Sequence, residues 1–207
     1  MDVRLVYTAA DMDESAPVIV LVGAHGEQAE RLAALARREV LRCGLMCVPG
    51  ADWNRQLSPW PAEAVFRGGA DFAGEADEFF DEMMTALPRR KHLCLMGYSL
   101  AGLFALYAAT KTGAFERVAA LSPSVWYPGF RAYFAQHLPA EGTEFYLSLG
   151  RKEEKAGNAV LRSVGDELRA VQALLGRDTP LVMHDGGHYT DVERRMLAAM
   201  RWICRDA

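Results

Sequence analysis

The sequence predicts an α/β chain: a mostly parallel sheet with helices on both faces. Short continuous apolar runs alternate with longer stretches of helical periodicity from Pro17 to the end of the chain. Those runs lack the polar alternation of a half-exposed strand, as expected where strands are buried on both sides. No repeat, low-complexity tract or linker divides the 207 residues, so one domain over 1–207 is expected, without a separate lid.

The elements follow in order. Pro17 to Gly23 is continuous, β-branched and ended by glycine, which predicts a buried strand, and Arg4 to Tyr7 adds a possible edge strand. Glu27 to Leu41 carries Leu32, Leu35, Ala36 and Val40 at helical spacing. Leu45 to Val48 is the next strand, stopped by Pro49-Gly50. Asp71 to Leu87 reads as a helix with Phe72, Phe79, Phe80 and Met83 on one side, ended by Pro88. His92 to Met96 is a strand, Leu100 to Thr110 an Ala/Leu-rich helix, and Val118 to Leu121 another strand. Glu144 to Leu149 is followed by a helix from about Ala159 to Leu175, and Leu181 to His184 by a closing helix from Asp191 to Cys204. The irregular stretch Ala51 to Gly69, with Trp53, Trp60, Pro59 and Pro61, is long enough to suggest a functional loop.

Composition narrows the function classes. A net charge of −4, with no basic cluster interleaved with aromatics, argues against nucleic acid or an anionic membrane as partner. No run approaches the roughly 18 apolar residues of a membrane span. Met1 to Ala10 carries an acid, Asp2, and lacks the apolar core of a secretory signal, so a cytoplasmic location is expected. Cys43, Cys47, Cys94 and Cys204 form no CxxC pair and no zinc spacing, and reduced thiols are expected.

The chemistry-bearing segment is Met96-Gly97-Tyr98-Ser99-Leu100-Ala101-Gly102, between a strand and a helix. A serine hydroxyl attacks only where its proton can be removed, and a sharp strand-to-helix turn exposes it for that. Small residues are needed two positions either side, where the backbones crowd, and Gly97 and Ala101 meet that need. Such a string alone is weak, since serine in it is usually a turn or cap residue. The flanking strand and helix make Ser99 the candidate nucleophile.

In enzymes with this turn, the acid and then the histidine follow the serine in the chain. His188, after Asp185-Gly186-Gly187 and before the closing helix, stands where the base belongs. His25 precedes the serine and reads as structural, His92 lies at the wrong end of its strand, His137 ends a loop or helix, and His184 sits in the last strand. The acid is expected after the strand ending Leu149-Gly150: Glu153, with Glu154 as the alternative, although a run such as Arg151 to Lys155 is ordinarily a solvated charge cluster. The other usual position holds Ser122-Pro123-Ser124, without a carboxylate. The oxyanion donors are expected to be the backbone N–H of Leu100 and that of Glu27, or of Ala24 if the first long strand ends earlier.

With these residues placed, the chain resembles the α/β-hydrolase superfamily, and within it the esterase D and enterochelin-esterase-like group of small bacterial serine hydrolases. Gly97 to Tyr107 is similar to that group's nucleophile segment, and Leu121-Ser122-Pro123-Ser124-Val125-Trp126 to the segment after its next strand. Asp52-Trp53-Asn54 and Leu57-Ser58-Pro59-Trp60 are also similar to small bacterial members. The resemblance implies the α/β-hydrolase fold, no metal or organic cofactor, and hydrolysis of a small-molecule ester or thioester through an acyl-enzyme. Ala101 departs from the usual glycine, and the acid is glutamate where many hydrolases carry aspartate. Trp53, Trp60 and Trp126 fall where ligands bind at the carboxyl edge of such sheets, as pocket walls or as packing for the long loop. Acyl transfer through the same acyl-enzyme, or a non-catalytic binding role for the fold, stand as alternatives. Oligomeric state is not legible.

Overall fold

A computed structural model describes residues 3–24, 26–50, 52–65 and 68–207. Its sheet has seven strands: β1 (Arg4–Thr8), β2 (Val18–Val22), β3 (Gly44–Val48), β4 (Leu93–Tyr98), β5 (Arg117–Leu121), β6 (Glu144–Gly150) and β7 (Leu181–His184). The order across the sheet is β1-β3-β2-β4-β5-β6-β7, with β1 antiparallel to β3 and every other neighbour pair parallel. The chain winds outward in one direction from β2 to β3 and in the other from β2 to β4 onward. A crevice therefore opens at the carboxyl ends of β2 and β4.

The continuous apolar runs have the structural basis the sequence suggested. All five residues of β2 are buried, and successive side chains enter opposite layers. Val18, Val20 and Val22 join one core with Leu93 and Leu95, whereas Ile19 and Leu21 join the other with Cys94 and Met96. Each such side chain contributes about 1.5–3 kcal/mol relative to exposure, so neither face of these strands tolerates a polar residue cheaply. The first layer is closed by α3 (Ala76–Ala86), α4 (Leu100–Ala109), α5 (Phe130–Gln136) and α7 (Val164–Leu175), the second by α1 (Gly26–Arg38) and α8 (Val192–Ile203). Every residue of α4 is buried, which explains why it is apolar all round rather than striped.

Some boundaries differ from expectation. The helix predicted from Asp71 starts only at Ala76, because Phe72 pairs with Ala62 in an isolated bridge that closes the long loop. The stretch 159–175 is two helices, α6 (Ala159–Arg162) and α7. The long loop contains a short helix, α2 (Trp53–Gln56), capped by the Asp52 carboxylate accepting from the Arg55 N–H at 3.2 Å. Among the described residues all four cysteines are reduced and buried, and no helix is long and apolar enough to cross a membrane.

Candidate active site

Five chain segments meet at the carboxyl edge of the sheet, and Ser99 is the sharpest feature among them. It stands between β4 and α4 with φ 59° and ψ −122°, a conformation that side-chain-bearing residues rarely adopt. The turn is held by the Ser99 N–H donating to Leu121 O at 2.9 Å and the Ser124 N–H donating to Ser99 O at 3.1 Å. A Cβ at Gly97 would fall 2.1 Å from the Ala101 carbonyl oxygen, so residue 97 must be glycine for the strand and helix backbones to approach. Ala101 is accommodated because its methyl group points into the buried core.

The imidazole of His188 lies over this turn. Its Nε2 is 3.0 Å from Ser99 Oγ and its Nδ1 is 2.7 Å from Glu153 Oε2. Glu153 opens a single 3-10 turn (Glu153–Lys155) after β6 and folds back so that Oε1 accepts the Gly150 N–H at 2.7 Å. Gly150 makes room for that return: a Cβ there would sit 2.8 Å from the same oxygen. Oε1 also accepts the Ser122 hydroxyl at 2.5 Å. The Glu153 side chain is only 6% exposed. Burial alone pushes its carboxyl up, but the hydrogen bonds from His188 and Ser122, the imidazole's charge and the Gly150 N–H outweigh it and hold the group below the usual carboxylate range. A carboxylate facing Nδ1 fixes the proton on that nitrogen and leaves Nε2 to accept from the serine.

The other expected residues divide clearly. Glu154 points the opposite way, pairing with Arg169 and packing on Gly165, so it does not reach His188. Leu100 opens α4 directly after the serine, with its N–H in the unsatisfied first turn. Glu27 stands on the exposed first turn of α1, whereas Ala24 is among the residues lining the crevice with Ser99. Of the two positions expected for the second oxyanion donor, Ala24, just past the end of β2 at Val22, is the one that borders the crevice. His25 lies outside the described residues.

Two hollows share Ser99 and His188. One, of about 350 Å³, is walled by Trp126, Ala156, Leu161 and Val164, with Lys152 and the 90% exposed Tyr189 at its rim. The other, of about 440 Å³, is bounded by Gly23, Ala24, Trp53, Val192 and Met196. Trp126 and Trp53 therefore border the site. Trp60 does not: its indole N–H donates to Pro128 O at 2.9 Å and its ring packs against Tyr107, Tyr127 and Tyr133. Expected as a possible pocket wall, it instead ties the long loop to the segment before α5.

One group was not anticipated. Arg195, on α8, is 2% exposed, and its guanidinium contacts Ser122, Tyr98, Gly187 and Glu153. Its signal lay in the helical spacing. Val192, Met196, Ala199, Met200 and Ile203 form the inward stripe of α8, and residue 195 falls within it. An arginine on an apolar face calls for a buried partner.

Comparison of the sequence with protein-family models and with curated proteins finds no match. Solved structures do resemble the chain. The IroE-like serine hydrolase from Shewanella oneidensis superposes with a TM-score of 0.73 at 14% identity, covering 99% of this chain and 75% of that one. The siderophore hydrolase EstA from Aspergillus nidulans gives 0.68 at 18% identity, covering 100% and 90%. The enterobactin esterase FES from Shigella flexneri gives 0.66 at 19% identity over 98% of this chain but 55% of that one. With its mostly parallel seven-stranded sheet flanked by helices, this chain has the α/β-hydrolase fold, as those serine hydrolases and esterases do.

Proposed function

We propose that the chain is a serine hydrolase that cleaves a small-molecule carboxylic ester or thioester through an acyl-enzyme on Ser99. The observation that carries this reading is the unbroken hydrogen-bonded chain from Ser99 Oγ to His188 at 3.0 Å and from His188 to Glu153 at 2.7 Å. It stands on a turn whose backbone strain has no other evident use.

In the proposed reaction Ser99 Oγ attacks the acyl carbon while its proton passes to His188 Nε2. Glu153 holds the ring in the right tautomer and stabilises the imidazolium without taking the proton. The developing oxyanion is met by the backbone N–H groups of Leu100 and Ala24, assisted by the amino end of α4. Collapse breaks the ester C–O bond, and the Nε2 proton goes to the leaving alkoxide, giving the alcohol. Water then attacks the acyl-enzyme, giving its proton to Nε2. Breakdown of the second tetrahedral species returns that proton to Ser99 Oγ and releases the acid. The two hollows, one on each side of the serine, suit an ester whose acyl and alcohol halves separate there. The low identities above show only fold; the assignment to esters rests on this geometry together with the resemblance of the Gly97 to Tyr107 segment.

A fluorophosphonate probe tests the reading. It is expected to label the wild type and not Ser99→Ala, and p-nitrophenyl esters of increasing acyl length are expected to be hydrolysed up to the length the hollows hold. Absence of labelling in the wild type, or equal labelling of Ser99→Ala, rejects it.

A further inference from the structure

The reaction above uses Ser99, His188 and Glu153 and leaves unexplained why a guanidinium is buried beneath them. Taking a charge out of water is costly unless charge and hydrogen-bond partners replace the solvent. Arg195 finds its ion-pair partner among the described residues in Glu153, at 3.4 Å. That distance is long for a direct bidentate pair, and the guanidinium spends its shorter bonds elsewhere.

We propose that Arg195 is a positioning residue for the catalytic trio, a role that rests on the serine-hydrolase reading: its guanidinium clamps the acid through Ser122 on one side and the histidine backbone through Tyr98 on the other. On the first arm, Nη2 donates to Ser122 Oγ, and that hydroxyl donates onward to Glu153 Oε1 at 2.5 Å. With the Gly150 N–H also on Oε1, that oxygen is saturated, and Oε2 is turned to His188. The arm therefore sets the rotation of the carboxylate. On the second arm, Nη1 donates to Tyr98 Oη at 2.7 Å, and Tyr98 Oη donates to His188 O at 2.5 Å. The same Nη1 reaches Gly187 O at 3.5 Å.

The need for that arm is local. His188 follows Gly186-Gly187, a backbone with little intrinsic stiffness, so without an anchor its ring would sample positions off the serine. Tyr98 is the neighbour of Ser99 and its ring stands 5.4 Å from the imidazole, so one planar group ties the elements carrying all three residues. A rigid fork with separate donors can serve two arms at once, whereas an ammonium is a point charge on a flexible stem.

The test uses Arg195→Met, Arg195→Lys and Tyr98→Phe in the full chain, with ester kinetics and proton NMR of the His188 Nδ1–H. For Arg195→Met, kcat is expected to fall about 10–100-fold with KM within about twofold, the signature of misplaced catalytic groups rather than lost binding. The low-field Nδ1 proton resonance is expected to be sharp in the wild type and to broaden or vanish in this variant while amide dispersion stays native. Arg195→Lys should fall between, and Tyr98→Phe, which cuts one arm, should lose about 3–10-fold in kcat. A folded Arg195→Met with wild-type kcat and a sharp resonance overturns the clamp. If that variant does not fold, Tyr98→Phe decides, and wild-type kcat and resonance there overturn it equally. The resonance needs no substrate, so failure of the wild type to react with fluorophosphonate sinks the hydrolase reading while the clamp is still judged.

Discussion

Two histidine–glutamate pairs of nearly equal length stand at opposite ends of the sheet. At the amino end of β4, His92 Nδ1 is 2.6 Å from Glu116; at the carboxyl end, His188 Nδ1 is 2.7 Å from Glu153. The imidazoles are similarly exposed, but Glu116 is 37% open to solvent and Glu153 only 6%. Glu153 has a serine hydroxyl, a backbone N–H and a guanidinium on its far oxygen, and the far nitrogen of its imidazole faces Ser99. Nor does volume separate the two ends, since a hollow of about 660 Å³ lies at the amino end, lined by Met84, Leu87 and the basic loop Arg89 to Lys91. The contrast teaches that neither a short contact nor a large cavity makes a site. What sets the proposed site apart is a strained serine turn on one side of the imidazole and a nearly buried carboxylate on the other.

Substitutions can break the contrast in order of size. Ser99→Ala and His188→Ala are each expected to lower kcat on a p-nitrophenyl ester by roughly 10⁴–10⁶-fold, with only oxyanion-hole catalysis left. His92→Ala should leave it within about twofold and cost at most about 1 kcal/mol in a denaturant titration, as partly exposed pairs do. Turnover loss in His92→Ala comparable to that in His188→Ala would erase the distinction. Next comes Glu153→Gln, expected to cost about 10²–10⁴-fold in kcat, against near wild-type activity for Glu154→Gln, whose carboxylate is committed to Arg169. Full activity in both variants would reduce the trio to a serine–histidine pair.

Trp126→Ala should act more gently and selectively. Opening the wall of the 350 Å³ hollow is expected to change kcat/KM about tenfold between short and long acyl esters, read from a chain-length series. The smallest effect is on stability against pH. Folded Glu153 ionises at lower pH than it would in the unfolded chain. Its contribution is therefore fully present above the ordinary glutamate range and is lost as pH falls through the lower, folded value. Glu153→Gln lacks that component, so its melting temperature should fall less than that of the wild type on acidification across the interval.

Much of this was written in local patterns. Strands β2, β4, β5 and β6 were legible because burial on both faces leaves continuous apolar runs, and α1 and α8 because one-sided burial leaves a stripe. The meeting of Ser99 and His188 was legible from the turn and the chain order. Glu153 and Glu154 could not be separated by sequence, because which carboxylate folds back depends on the room at Gly150 and on Arg169 claiming the other. Helix α5 was legible only as a loop or helix ending near His137, because seven residues with only Phe130 and Phe134 buried give too little period to decide. For Trp60 the choice between pocket wall and loop packing was not legible, because loop aromatics look alike in a string; a Pro128 carbonyl and three tyrosine rings decide for packing. Arg195 was visible as a misfit on its helix, but its partners come from β4, the turn after β5, the segment after β6 and the loop before α8, and no local pattern joins those.

Ser122 has a consequence for how such a site can drift over time. Its backbone, at φ 41°, already holds a polar side chain against the acid's outer oxygen, in a conformation that aspartate tolerates better than most residues. A second carboxylate arriving there would meet Glu153 as a like charge at hydrogen-bond range, and one of the two would have to keep its proton. The turns after β5 and β6 therefore compete for one negative charge beside the imidazole, with Arg195 in contact with both.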